Sequence, residues 1–149
     1  MINFKSSEVI CRPAGQVFDF LSTPENDARW HYGTLAASTL TEGIPSKGTF
    51  FRSIGHWMGR RNLSTFEVTE YKPDQKYGYK SLSGPLSSQT SYSLGMMDNG
   101  CTKIEISIQA DVVNFFQMDE GTLEKKMKKQ LKEDLAILKD LLEAESFAG

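Results

Sequence analysis

Only one stretch of this chain carries the apolar stripe of a long helix, and it comes last. Leu123, Met127, Leu131, Leu135, Leu138 and Leu142 step by three or four, while Lys125, Lys126, Lys128, Lys129, Lys132 and Glu133 take the other side. The spacing predicts an amphipathic helix of some twenty-five residues, from about Thr122 to Ser146. At ~1.5 Å per residue it is about 37 Å long, enough to cross a whole sheet. From Leu35 to Val112 the pattern is instead extended, so one helix has to cover everything that this region leaves apolar.

That region divides at turn signals. "TLAASTLTEG" reads as a weak strand ending at Gly43. "GTFFRSIGHWM" follows, with Gly59-Arg60 as a two-residue hairpin, then "RNLSTFEVTEYK", "KYGYKSLS" and "SSQTSYSLGMM". Asn99-Gly100 is the strongest hairpin signal. In the last strand Ile104, Ile106, Ile108, Ala110 and Val112 alternate with Glu105, Ser107, Gln109 and Asp111, which gives one buried and one wet face. Six consecutive strands on short connections predict an antiparallel meander.

The N-terminal part supplies a first strand, about Asn3 to Cys11, and two short helices. Pro13 suits a first helical position, and Val17, Phe18, Phe20 and Leu21 give the first helix its apolar side. Pro24 stops it. "TPENDARW" starts the second, with Thr23 as its cap and acidic residues in its first turn. Glycines at Gly55, Gly78 and Gly95 permit bulges and bends in the strands. A strongly bent sheet gripping one helix leaves space between them. The 9 Phe, 5 Tyr, 2 Trp and 6 Met fit either a partly hollow interior or a solid core.

The charge balance, 17 basic against 19 acidic residues, gives no field for gathering nucleic acid. The start "MINFKSSEVI" lacks a signal-peptide pattern, and no run approaches the ~20 apolar residues that cross a bilayer. A cytoplasmic protein with no stable membrane insertion is expected. Cys11 and Cys101 are far apart in sequence and read as buried free thiols. The chain has no G-x-S-x-G, H-E-x-x-H or C-x-x-C pattern and no phosphate loop. No cofactor and no metal site is expected. His31 and His56 each adjoin a tryptophan, Trp30 and Trp57, and an imidazole can serve as general acid or base. A half-exposed histidine at an element end is the plainer reading of both. Arg52 lies mid-strand and could orient an anion, but it faces water if Phe51, Ser53 and Gly55 face inward.

"ICRPAGQVFDFLSTPENDARW" resembles the opening signature of the START-like (SRPBCC) superfamily. "GRRNLSTFEVTEYKPDQKYGYKSLSGP" is similar to its middle hairpins, and "DLAILKDLLE" to its terminal helix. The resemblance spans nearly the whole chain, read as one domain, residues 1–149, and is nearest the polyketide cyclase/dehydrase-like subgroup. It implies an α+β helix-grip fold: a seven-stranded curved antiparallel sheet around the long C-terminal helix, with two short helices between strands 1 and 2. It also implies an internal cavity for an apolar or amphipathic small molecule. On that basis the ligand-binding candidates are Trp30, Phe51, Trp57, Phe66, Tyr79, Tyr92, Ile106, Phe116, Met127 and Leu131. His31, Arg52 and His56 are the weaker catalytic candidates. The loops "GHWMGRR" and "VNFFQMDEG" are candidates for the entrance. Binding without turnover, a cyclase, aromatase or dehydratase activity, and a protein-interaction role all remain open, as do monomer and homodimer.

Overall fold

The computed structural model describes residues 2–57, 59–84, 86–112 and 119–144. Seven strands form one antiparallel sheet: β1 (Ile2–Ile10), β2 (Thr34–Thr39), β3 (Phe50–Trp57), β4 (Arg60–Lys72), β5 (Lys76–Ser83), β6 (Leu86–Met96) and β7 (Thr102–Val112). The spatial order β1-β7-β6-β5-β4-β3-β2 is a meander whose first strand closes onto its last. Helix α1 (Ala14–Leu21) and a 3-10 helix, Pro24–Arg29, lie between β1 and β2. Helix α2 (Glu120–Ala144) has 25 residues. This is the helix-grip fold expected, with the long helix starting about two residues earlier than its apolar spacing suggests; the expected end at Ser146 lies outside the described residues.

The first helix begins one residue later than expected, because Pro13 keeps an extended ψ of 148° and stands outside it. Thr23 precedes the 3-10 helix but does not cap it through its side chain. Its hydroxyl instead donates back to the Asp19 carbonyl at 2.7 Å, tying the two short helices together. The β3–β4 turn also differs. Trp57 pairs with Arg60, so Gly59 lies in the turn rather than opening it, with the left-handed φ of 79°. At the far end, Gly100 (φ 81°) closes the β6–β7 turn, and Asn99 Oδ1 accepts the Cys101 N–H at 3.1 Å.

The core follows strand phase. Ile104 and Ile106 of β7, Ile2 and Phe4 of β1, and Leu131, Leu135, Leu138 and Leu142 of α2 are all buried, with Val17, Phe18 and Leu21 of α1 closing one end. Fully burying each such aliphatic or aromatic side chain contributes roughly 1.5–3 kcal/mol. An aromatic ladder runs across the middle strands. Phe51 stacks on Phe66 (5.0 Å between centroids) and on Tyr79 (5.2 Å), and Tyr77 stacks on Tyr79 (5.7 Å) and Tyr92 (5.8 Å). The Tyr79 and Tyr92 hydroxyls share a hydrogen bond at 3.2 Å.

Carboxylates bond main-chain N–H groups at the ends of both edge strands. On β1, Glu124 of α2 accepts the Asn3 N–H (2.7 Å) and Glu143 accepts the Cys11 N–H (2.8 Å), while Lys139 donates to the Val9 carbonyl (2.6 Å). On β2, Glu25 of the 3-10 helix accepts the Thr39 N–H at 2.7 Å. These bonds use backbone groups that a neighbouring strand would otherwise take.

One expectation is corrected. Cys11 and Cys101 are not free thiols; they form a disulfide across a sequence separation of 90. The reason lies in the register: β1 pairs with β7 as far as Ile10 opposite Thr102, so the next residue on each strand is a cysteine.

Candidate functional site

Three β-bulge positions, between Thr34 and Ala36, Thr65 and Phe66, and Val68 and Glu70, mark where the sheet departs from regular pairing. The loop that leads from Trp30 into β2 folds onto β3. Gly33 and Gly55 meet there: a Cβ built on Gly55 would stand 2.3 Å from the Gly33 carbonyl oxygen. That oxygen also accepts the His56 N–H at 2.8 Å. Only glycine fits at position 55, and the contact fixes residues 31–34 against the sheet.

A cavity of about 410 Å³ lies between this loop, the sheet and the N-terminal part of α2. Its apolar wall comprises Phe4 of β1, Ile108 of β7, Leu86 of β6, and Leu123, Met127 and Leu131 of α2. Its polar end comprises His31, Tyr32, Thr34, Gln130 and Asp134, with exposed Lys126 on the helix rim. Such a volume and lining fall in the range of small-molecule sites.

Asp134 organises the polar end. It is only 5% exposed, and three groups converge on it. His31 Nδ1 lies 3.6 Å from its Oδ2, the Tyr32 N–H donates to Oδ1 (3.3 Å), and Gln130 Nε2 donates to Oδ1 (2.9 Å). A buried carboxylate needs such company, because an unpaired one loses its hydration with no return. With Nδ1 facing Asp134, Nε2 is the imidazole nitrogen left for a ligand. The His31 ring also stacks on Trp30, 3.7 Å between centroids. Trp30 is 2% exposed, and its indole N–H has no acceptor among the described residues.

A second carboxyl bears on the interior. Burial raises the Asp27 pKa from 3.8 to about 7, opposed by the nearby His31 and reinforced by Glu25. Burial likewise pushes the Tyr77, Tyr79 and Tyr92 hydroxyls above their ordinary range, and the Asp27 charge adds to the rise in each. These tyrosines are therefore neutral hydrogen-bonding groups across the working pH range.

The candidates from sequence are dispersed by this geometry. Met127, Leu131 and His31 line the cavity. Phe66 lines a smaller recess beside it, and His56 borders both. His56 itself is exposed, on the outward phase of β3, and so is Arg52. Phe51, Tyr79, Tyr92 and Ile106 belong to the packed interior, and Trp30 lies behind His31. Phe116 and the rest of residues 113–118 lie outside the described residues, as does the Trp57 side chain. Asp134 and Gln130 were not anticipated. The signal was present: Asp134 falls at i+3 from Leu131 and i−4 from Leu138, inside the apolar stripe of α2. Among the described residues, no group of three or more His, Cys, Asp or Glu could hold a metal ion, and no helix is long and apolar enough to cross a membrane.

The profile of the family described as "Polyketide cyclase / dehydrase and lipid transport" matches residues 1–143. No curated protein matches the chain. Among solved structures, a START superfamily protein from Mycobacterium smegmatis superposes with a TM-score of 0.80 at 12% identity, over 95% of this chain and 97% of that one. The Zhui aromatase/cyclase from Streptomyces sp. R1128 gives 0.77 at 16% identity, over 95% and 93%. XoxI from Bacillus cereus gives 0.74 at 14% identity, over 95% and 96%. At these identities the likeness shows the fold. The family match covers nearly the whole chain, and the protein belongs to that family.

Proposed function

We propose that this member of the polyketide cyclase/dehydrase and lipid transport family binds an apolar or amphipathic small molecule in the cavity between sheet and α2. One observation carries the reading. About 410 Å³ is walled largely by Phe4, Leu86, Ile108, Leu123, Met127 and Leu131, with the bonded cluster of His31, Gln130 and Asp134 in the same wall. Exposed Tyr32 and Lys126 stand at its margin, so the space is a cleft that a ligand can enter from solvent. Titration with N-phenyl-1-naphthylamine, whose fluorescence rises in apolar surroundings, tests it. Uptake by the unaltered protein, at least tenfold weaker in Met127→Trp, is expected. No uptake by the unaltered protein overturns it.

A second reading is favoured by the His31–Asp134 pair in the cavity wall: an enzyme of cyclase or dehydratase type. Asp134 would keep the imidazole in one orientation, and Nε2 would take a proton from carbon next to a ligand carbonyl or give one to a leaving hydroxyl. Removing a general base of this kind typically costs about 10²–10⁴ in rate. A linear poly-β-ketone thioester offered to the protein should give cyclised product by mass spectrometry. His31→Gln should lose that product while still taking up N-phenyl-1-naphthylamine. An unchanged thioester leaves binding without turnover as the function.

A further inference from the structure

We propose that the recess beside the main cavity receives the uncharged, oxygen-rich end of an amphipathic ligand, such as a sugar or polyol head. The inference rests on the cavity reading above and specifies the chemistry of what is bound. The recess holds about 230 Å³ and shares Gly33, Thr34, His56 and Leu86 with the main cavity, so the two have walls in common. Its lining changes character, however. Ser53 of β3, Asn62 and Ser64 of β4, Ser88 of β6 and Thr34 of β2 supply small uncharged polar side chains, and among the described residues no Asp, Glu, Lys or Arg takes part.

Strand register explains how these side chains meet. Ser53 pairs with Ser64, and Gly55 with Asn62, so they share one face of the β3–β4 ladder. That is the inward face, since Phe51 and Phe66, two residues along on the same phase, stack in the aromatic ladder. Ser88 joins from β6, where its N–H is bonded to Ser81 Oγ at 2.9 Å. An inward position of a curved sheet is where valine or leucine would be expected, and the same face is occupied by Ile104 and Ile106 on β7. Ser53, Ser64 and Ser88 are half-buried, so their hydroxyls can exchange water for a ligand's oxygens.

The type of group follows from what is missing as much as from what is present. Hydroxyls and amides both donate and accept, which matches alcohols, ethers and carbonyls. A carboxylate or phosphate would need a cation. Lys126 lies on the α2 side of the main cavity, and Arg52 is exposed on the outward phase of β3. The bound molecule therefore lies lengthwise, its apolar body against α2, β1 and β7 and its neutral oxygens over β3, β4 and β6.

Displacement of N-phenyl-1-naphthylamine by two ligands with the same tail tests this. Octyl β-D-glucopyranoside, below its micelle concentration, should displace the probe at a concentration at least tenfold lower than octyl phosphate does. The triple variant Ser53→Ala/Ser64→Ala/Ser88→Ala should weaken the glucoside about tenfold, the equivalent of one or two net hydrogen bonds, and leave probe uptake within twofold. Should the triple variant fail to fold, Ser88→Ala alone keeps the backbone bond to Ser81 and should weaken the glucoside about threefold. Equal displacement, preference for the phosphate, or an undiminished glucoside preference in the variants overturns this inference while the cavity reading stands. Failure of the unaltered protein to take up the probe overturns both.

Discussion

Asp134 of α2 faces His31 across 3.6 Å, so the long helix and the loop before β2 meet through a buried carboxylate and an imidazole. The helix thus contributes more than cover for the sheet. It fixes the residues that form the polar end of the cavity, and it does so from a position inside its own apolar stripe. Asp134→Ala removes the acceptor of the Tyr32 and Gln130 donors together. A loss of about 1–3 kcal/mol is expected from urea unfolding, because those donors are left without their partner. Amide exchange at Tyr32 should quicken as well. Unchanged stability and exchange would show that the loop is held by other contacts.

Gly55→Ala should be damaging although it adds a single methyl group. The new methyl meets the Gly33 carbonyl, which is backbone and cannot swing aside. The expected result is a destabilisation of about 1–3 kcal/mol in thermal unfolding, with chemical-shift changes centred on residues 31–34. Equivalent substitution at Gly95, where a Cβ meets nothing within 4 Å, is the control and should fall within about 0.5 kcal/mol of the unaltered protein on steric grounds.

The Asp27 carboxyl makes stability depend on pH. Its pKa is about 7 in the folded chain against 3.8 ordinarily, so between those values the native state holds a proton that the unfolded chain has released. Stability from this group is therefore lost as pH rises from about 4 to about 7, and stays reduced above. Asp27→Asn removes the charge. Its gain over the unaltered protein should be roughly 1–3 kcal/mol at pH 8, since one pKa unit is worth about 1.4 kcal/mol and a half-buried group retains part of it. Below pH 4 the gain should shrink towards zero. A gain independent of pH in urea titrations would refute the assignment.

Glu143 behaves in the opposite sense. The Cys11 N–H, foremost, with Lys139 and Arg12, holds its carboxyl below the ordinary 4.5. Its contribution is present above that ordinary value and disappears as pH falls through the lowered one. Glu143→Gln should speed hydrogen exchange at the Cys11 amide several-fold at pH 6. The difference from the unaltered protein should close once acid has neutralised the glutamate. Equal protection of Cys11 in both proteins at pH 6 would mean that the bond is not what shields it.

The architecture was readable because two periodicities carry it. Ile104 to Ala110 alternates by two, Leu123 to Leu142 recurs by three or four, and each keeps its phase in the folded chain. Glycine signals gave the turns, though not always the register: Gly59 takes the second turn position because Arg60 is already paired with Trp57. The site was far less readable. Asp134 lies on a lysine-rich helix with no motif to mark it, though its spacing from Leu131 and Leu138 places it among buried residues. Ser53, Ser64 and Ser88 are unremarkable singly. They become a group only through the β3–β4 register and the place of β6 in the sheet. The Cys11–Cys101 pairing likewise depends on β1 closing onto β7, a contact between the two ends of the meander that no local pattern encodes.

The carboxylates along the rims bear on how this protein behaves when concentrated. Amyloid-type stacking begins when a strand of one molecule adds to a bare edge of another. Here Glu124 at β1, Glu143 just past its end and Glu25 at β2 each already hold a main-chain N–H that such a newcomer would compete for. The side chains that seat the long helix and the 3-10 helix thereby also act as a guard against fibre growth.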